Sequence, residues 1–157
     1  MQKWLIEPFE PPGKEGMLIH LKKMEKILKE VQEYFDTHPA IENPDYYNQP
    51  IKYLKNYNLL ALQLGDLAFR KTVMLQVLLY THSLKNPMTR SPVVLTDADK
   101  KVIPEIEAIP KKYLSSCGKD GRKILDELPK ILSGEQEWTS LKEQWKDKKK
   151  TVLKRAE

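Results

Sequence analysis

The sequence predicts an all-α protein, an irregular multi-helix bundle of about six or seven helices organised like a helical-repeat scaffold. Three observations predict it. Apolar residues recur at spacings of three and four over most of the chain, and residues that typically begin and end helices flank these stretches. No segment alternates apolar and polar side chains for long enough to form a strand. The 157 residues, 40% of them hydrophobic and 31% charged, suit one globular domain, which we place at residues 1–145.

The first predicted helix covers residues 15–36, and the loop after it is a candidate hinge. Gly16 precedes the helix and Pro39 follows it. Prolines and asparagines mark residues 37–50 as a loop, which also contains Tyr46 and Tyr47. The apolar face of this helix is formed by Met17, Leu21, Met24, Leu28, Val31 and Phe35.

A helix predicted over residues 67–84 is the most apolar part of the chain. The Asp66 carboxylate is a suitable N-cap, because it can accept hydrogen bonds from the free N–H groups of the first turn. Apolar side chains cover most of the helix circumference, so we expect this helix to be central and buried. We expect Phe69, Leu75 and Leu78 to lie in the core.

A second loop is predicted over residues 86–95, and Thr96 then caps a helix whose first turn contains Asp97 and Asp99. Pro104 and Pro110 each remove a helix hydrogen bond, so we expect a kink or break just before each of them. Ser116, Cys117 and Gly118 are expected to end this helix.

The rest of the chain is predicted to form two more helices. The first covers residues 120–132, and a capping box of Ser133 and Gln136 predicts the start of the last one. Leu141 lies between the two tryptophans of the last helix, so we expect the tryptophans to be core residues. The last helix carries three large apolar side chains on one stripe: Trp138, Leu141 and Trp145.

The net charge of +5 is concentrated near the end of the chain. Residues 142–157 contain seven basic and three acidic side chains, whereas the first 141 residues contain 20 basic and 19 acidic ones. A nearly neutral body with a basic tail is typical of interaction proteins. We predict that residues 146–157 form a basic, solvated tail.

The sequence contains no convincing catalytic or metal-binding pattern. Its three histidines, His20, His38 and His82, are not spaced as zinc ligands, and Cys117 is its only cysteine. A small hydrolase that uses Cys117 and His82 is a third hypothesis, but nothing in the sequence orients the pair. We therefore expect no enzyme activity and no cofactor. No apolar run approaches the roughly 20 residues of a membrane span, so we expect no membrane partner.

Two sets of residues are candidate binding sites. Arg70 and Lys71 interrupt an apolar helix, and we consider them, with Tyr46 and Tyr47, as contacts to a partner protein. The two tyrosines could also stack on bases. Basic residues near the end could neutralise nucleic-acid phosphates: Lys148, Lys149, Lys150, Lys154 and Arg155.

Several motifs resemble the THO complex subunit 1 family. Residues 62–71, LQLGDLAFRK, followed by LQVLL at 75–79, are similar to the family's L-x-L-x-D-x-x-F-R-[RK]…L-Q-x-L-x stretch. VLTD at 94–97 and ILSGEQEWTSLK at 131–142 follow in the family's order and at similar spacing. With a weaker match upstream, the resemblance spans about residues 4–145.

The resemblance implies a nuclear scaffold with an all-helical fold and no catalytic residues. The family belongs to the THO core of the transcription–export (TREX) complex, which couples transcription elongation to messenger-RNA processing and export together with a DEAD-box RNA helicase. Other THO subunits and this helicase are therefore the implied partners. Members are much longer than this chain and some carry a death-like domain, so we expect an internal fragment or a reduced member.

Two functions from different classes follow. The first is a non-enzymatic scaffold subunit of the THO complex that acts through protein–protein contacts. The alternative is a helical module that binds RNA or DNA directly through the lysine-rich tail.

Overall fold

The computed structural model describes residues 16–42, 60–86 and 95–154, which form five helices and no strand within these ranges. The all-helical prediction is confirmed, whereas the described residues contain five helices rather than six or seven. The chain divides into two compact units, Met1–Ser116 and Cys117–Glu157, and the prediction of a single domain over 1–145 stays a prediction. The helices are α1 Met17–Thr37, α2 Leu60–Gly65, α3 Leu67–Lys85, α4 Asp97–Ser116 and α5 Gly118–Lys154.

Helix α1 matches its predicted position within two residues at the start and one at the end. It ends at Thr37, and Pro39 lies two residues beyond, which suits a helix end because proline restricts the residue before it to extended conformations. Its buried face follows the predicted apolar stripe, with one histidine added. The buried residues are His20, Leu21, Met24, Leu28 and Phe35.

Helix α3 is the most buried described helix, as its apolar circumference predicts. Its start is fixed by Asp66, whose Oδ1 accepts a hydrogen bond of 2.8 Å from the Ala68 N–H. Phe69 and Leu78 are buried as predicted, whereas Leu75 is half-buried. Ten residues are buried: Phe69, Arg70, Lys71, Val73, Met74, Val77, Leu78, Tyr80, Thr81 and Leu84.

Helix α4 begins with an exchange of hydrogen bonds between Thr96 and Asp99. Asp99 Oδ2 accepts bonds of 2.7 Å from both the N–H and the hydroxyl of Thr96, and Thr96 Oγ1 accepts one of 3.3 Å from the Asp99 N–H. This is the arrangement of a capping box with aspartate in place of glutamate. The predicted cap at Thr96 is confirmed.

Helix α4 continues through Pro104 and Pro110 to Ser116, so a break at either proline is wrong, and a kink there stays a prediction. A proline inside a helix costs roughly 3 kcal/mol. Ile103 and Ile106 flank Pro104 and are both buried, and each contributes about 1.5–3 kcal/mol by leaving water. The burial of these two isoleucines therefore offsets the cost of Pro104.

Helix α5 is one element, so the predicted start of a new helix at Ser133 is also wrong. Gly134 lies inside it, at a cost of about 1 kcal/mol relative to alanine, and the residues around it favour helices. The predicted boundary before α5 is confirmed, since Gly118 adopts a φ of 72°. This left-handed conformation is common for glycine after a helix end.

The core of the first unit lies between α1, α3 and α4. Helix α4 packs against both of the other two, and α2 packs against α3. Partly buried Met17, Leu95, Val102 and Ile109 extend the cluster. Its fully enclosed side chains are Leu21, Met24 and Leu28 of α1, Val77, Tyr80 and Leu84 of α3, and Ile103 and Ile106 of α4.

One buried polar contact lies within this core. His20 Nε2 and the Tyr80 hydroxyl are hydrogen-bonded at 3.1 Å and join α1 to α3. Burial raises the pKa of Tyr80 to about 12, because the charged phenolate loses its hydration there. The hydroxyl therefore keeps its proton at neutral pH, and the polar tips of two buried rings satisfy each other.

A second polar contact lies between α3 and α4. Glu107 Oε1 accepts from the Lys85 ammonium at 2.7 Å and Oε2 from the Lys111 ammonium at 3.2 Å. Burial opposes ionisation of Glu107, but the hydrogen bonds from the two lysines outweigh it, so the pKa of Glu107 is lowered. The ionised carboxylate therefore ties the end of α3 to the middle of α4.

This contact predicts a pH dependence of stability. The folded-state pKa of Glu107 lies below its ordinary value of 4.5. The contribution of Glu107 to the free energy of unfolding is therefore present above about pH 4.5 and is lost as the pH falls through the folded-state pKa. Glu107→Gln should lower the free energy of unfolding at pH 7 by about 1 kcal/mol or less, and by less at pH 3. Urea unfolding at the two pH values measures this, with exposed Glu127→Gln as the control. An equal loss at both pH values would contradict it.

Candidate functional site

The side chain of Arg70 lies where the end of α1 meets the start of α3. Arg70 is only 2% exposed, although it is charged. Val73 follows Arg70 by three positions and Val77 by seven, so the three residues lie on the same, buried face of α3. We call its surroundings the Arg70 corner, formed by Arg70, Phe35, His38 and Leu64.

The guanidinium of Arg70 binds backbone carbonyls from two other segments. Nη1 donates to the His38 carbonyl at 2.8 Å and, more weakly, to the Phe35 carbonyl at 3.4 Å. Nε donates to the Leu64 carbonyl in α2. The guanidinium carbon also lies 4.4 Å from the centre of the Phe35 ring, a cation–π distance. One side chain thus joins the end of α1, α2 and α3.

The position of Arg70 suits the electrostatics of a helix end. The last carbonyls of an α-helix have no partner within the helix and carry a partial negative charge. Arg70 supplies a cation and two donors to this end of α1 from a helix more than 30 residues away in sequence. It therefore acts as a C-cap from outside the helix, and the carbonyl dipoles compensate its buried charge.

A short backbone contact reinforces the same corner. The Ile41 N–H donates to the Gly65 carbonyl at 2.8 Å, and the Leu67 N–H donates to the Ile41 carbonyl at 3.1 Å. Ile41 and Asp66 thereby form an isolated parallel bridge. The chain after α1 is held against the turn between α2 and α3 by this bridge as well as by Arg70.

The Arg70 corner gives Arg70 a role that the sequence did not predict. Arg70 and Lys71 are both buried, so the structure places neither on an open surface where a partner contact was expected. Their contact with a partner stays a prediction. The signal for its burial was present, since Arg70 occupies a position that the apolar spacing of α3 makes buried. Tyr46 and Tyr47 lie outside the described residues.

The second candidate site is a row of apolar side chains on α5, which we call the tryptophan row: Ile131, Trp138, Leu141 and Trp145. The spacings of three, four and seven put these residues on one face of the helix. Trp138 is 54% exposed and Trp145 75%, so the prediction that both are core residues is wrong. Heptad spacing shows that they share a face, but it does not show what covers that face.

The tryptophan row brings four exposed apolar side chains onto one helix face. The first unit exposes single large apolar residues, which is ordinary for a protein surface. The row exposes four, including two tryptophans that each bring about 150–250 Å² to an interface when fully buried. Lys142 Nζ lies 5.0 Å from the centre of the Trp138 ring and helps to hold the ring along the helix. Exposed patches of this kind are typical of interaction surfaces.

The predicted nucleic-acid contacts lie beyond the tryptophan row. The backbone of α5 is helical through Lys148, Lys149 and Lys150 and ends at Lys154, whereas Arg155 lies outside the described residues. The predicted tail over 146–157 is therefore helical up to Lys154. Whether these residues bind nucleic acid stays a prediction.

Within the described ranges, no group of three or more histidine, cysteine or acidic side chains could hold a metal ion. No described helix is both long and apolar enough to cross a membrane. Cys117 is half-buried beside Gly118, and His82 lies in the last turn of α3. The thiol hypothesis stays untested.

Comparison with known proteins gives one match. A family model described as THO complex subunit 1 transcription elongation factor matches residues 21–154. The match begins in α1 and extends to the end of α5, so it includes both the Arg70 corner and the tryptophan row. No curated protein and no solved structure matches the chain.

The Arg70 corner predicts a large loss of stability when its cation is removed. Arg70→Met keeps much of the side-chain volume but leaves buried carbonyls without donors, and we expect a loss of about 3 kcal/mol in the free energy of unfolding. Arg70→Lys should recover less than half of this, because one ammonium cannot donate in both directions. Urea unfolding measures the effect, with exposed Arg122→Met as the control that changes stability by about 0.5 kcal/mol or less. An Arg70→Met protein as stable as the unaltered chain would rule out this role.

Proposed function

This chain belongs to the THO complex subunit 1 family, and on that premise we propose that it is a non-enzymatic scaffold subunit of the THO complex. The observation that carries the proposal is the extent of the family match, which runs from residue 21 in α1 to the end of α5 at residue 154. Family membership implies association with other THO components and a nuclear role. The scaffold mechanism goes beyond membership and rests on two features of the structure.

The first feature is that charged and polar groups inside the first unit bind other parts of the same unit. Arg70 caps α1, Asp99 completes the capping box of Thr96 at the start of α4, and Glu107 joins α3 to α4. Each of these groups is buried or half-buried and has a structural partner. A side chain bonded in this way stabilises the fold. The helix end or neighbouring helix to which it is bonded determines where the side chain lies.

The second feature is the exposed tryptophan row on α5. Aromatic side chains are enriched in the centre of protein interfaces, where they contribute most of the binding energy. A scaffold subunit requires such surfaces because it acts by holding other proteins together. As the family implies, the scaffold would serve TREX in coupling transcription elongation to messenger-RNA processing and nuclear export, with a DEAD-box RNA helicase as a partner of the complex. The helical-repeat-like organisation of the scaffold is part of the same proposal.

Co-expression with the other THO subunits tests the scaffold proposal. The affinity-tagged chain should be recovered in one complex with them and should elute with them in size-exclusion chromatography. Cys117→Ser should be recovered equally well, because the proposal assigns no chemistry to the thiol. A helical protein of similar size and charge with the same tag is the control. Failure of the unaltered chain to bring down any THO subunit would refute the proposal.

The basic end of α5 supports a second proposal, direct binding of RNA or DNA. Residues 146–157 contain six basic and two acidic side chains, and the helix extends to Lys154. If Lys148, Lys149, Lys150, Lys154 and Arg155 all neutralise phosphates, the logarithm of the affinity for single-stranded RNA should fall with the logarithm of salt concentration with a slope of about −3.5.

A truncation at residue 145 decides between the two proposals for RNA. The RNA proposal expects the truncated chain to lose binding to a 20-nucleotide single strand at low salt. The scaffold proposal expects the unaltered and truncated chains to bind this strand equally weakly. Fluorescence anisotropy across a salt series gives the measurement.

A further inference from the structure

The tryptophan row has the dimensions of a helix-docking surface. From Ile131 to Trp145 it extends about 21 Å along α5, at 1.5 Å per residue. Its exposed aromatic and aliphatic surface is on the order of several hundred Å², comparable with the largest apolar patch of a typical monomer. A single helix face of this length fits a groove on a partner protein, where residues at spacings of three, four and seven act as anchors.

The charge along α5 changes at the end of the row. Residues 131–145 contain three acidic side chains and one basic one. Residues 146–157 contain six basic side chains and two acidic ones, a net charge of +4. A partner that covers the row and continues past Trp145 therefore meets first an apolar, weakly acidic surface and then a strongly basic one. Charge complementarity requires acidic groups on the partner at that second position.

The same charges oppose pairing with a second copy of α5. A parallel pair would bring the two basic ends together. An antiparallel pair centred on Trp138 would place residues 146–154 beside 122–130, which contain three basic and two acidic side chains. Net positive charge would face net positive charge at both ends of the pair, and the acidic middle segments would face each other.

The acidic residues near the tryptophans also disfavour RNA on this face. Glu135 and Glu137 precede Trp138, and Glu143 lies between Leu141 and Trp145. Sites where aromatic rings stack on bases lie in positively charged grooves that follow the phosphates. Carboxylates within a few residues of both tryptophans repel the phosphates that stacking would bring close.

We infer that the tryptophan row docks into an apolar groove of another THO subunit, with acidic residues at the end of the groove that meets residues 146–157. This inference rests on the proposed function, since it takes the partner to be a THO subunit. Trp138 and Trp145 are the anchors, and Ile131 and Leu141 complete the apolar contact. The cation–π contact of Lys142 holds the Trp138 ring along the helix before binding, which reduces the side-chain freedom lost on docking.

The first test compares variants of the full chain in co-expression with the other THO subunits. Trp138→Ala/Trp145→Ala should weaken retention by those subunits at least tenfold. The matched control is Ile19→Ala/Leu79→Ala, two exposed apolar residues of the first unit, which should be retained like the unaltered chain. Circular dichroism should show equal helix content in both variants. Replacing Lys148, Lys149 and Lys150 by glutamate should weaken retention most at low salt.

The second test measures the accessibility of the two tryptophans directly. Trp4→Phe leaves Trp138 and Trp145 as the only tryptophans of the chain. With 5-hydroxytryptophan incorporated at both positions, excitation at wavelengths where ordinary tryptophan does not absorb separates their emission from that of the other THO subunits. Acrylamide should quench this emission in the isolated chain and several-fold less in the complex. Equal quenching in both states would overturn the inference, even where the variants above bind less well.

The outcomes separate this inference from the proposed function. If the unaltered chain is not retained by the THO subunits, the proposed function fails. If it is retained but the double tryptophan variant is retained equally well, the inference is overturned and the proposed function stands. Protection of the tryptophans in a dimer of the isolated chain, or by a 20-nucleotide RNA, would assign the row to those occupants and also overturn the inference.

Discussion

The geometry of the first unit depends on the contacts that the buried guanidinium of Arg70 makes. A charged group removed from water is costly unless hydrogen bonds and nearby dipoles compensate it. Here the compensation comes from backbone carbonyls of Phe35, His38 and Leu64, which belong to two different segments. The end of α1 and the turn before α3 must therefore hold positions that aim these carbonyls at one side chain. The bridge between Ile41 and Asp66 keeps the same two segments together through their backbones.

The other contacts of the unit continue from this corner along three helices. Phe35 packs on Tyr113 with ring centres 5.1 Å apart, which joins the Arg70 corner to α4. The aliphatic cluster of α1, α3 and α4 supplies the apolar burial, and the hydrogen bond between His20 and Tyr80 lies within that cluster. Glu107 joins α3 and α4 through Lys85. His20, Arg70 and Glu107 therefore each hold a helix end or join two helices.

The two units contribute differently to the proposed scaffold role. In the first unit, buried polar residues form hydrogen bonds and ion pairs between its own helices. The helix α5 exposes two tryptophans and two aliphatic residues on one face, followed by a basic segment. Large exposed apolar side chains lower solubility and favour association, so a partner that covers them lowers the free energy of both proteins. Family membership and this exposed face therefore support the same proposal, a subunit whose role is to bind other subunits.

The local pattern of residues was sufficient to predict the all-helical class, the caps at Asp66 and Thr96, the positions of α1 and α3, and the family. These features depend on interactions within a few residues, which spacing and side-chain chemistry reveal directly. Three features depended on contacts between distant segments and could not be predicted in this way. Helix α4 passes through Pro104 because packing outweighs the lost hydrogen bond. Arg70 is a cap because carbonyls from other segments surround it. The tryptophan row is exposed because periodicity determines which residues share a face, whereas only the folded chain determines which faces are covered.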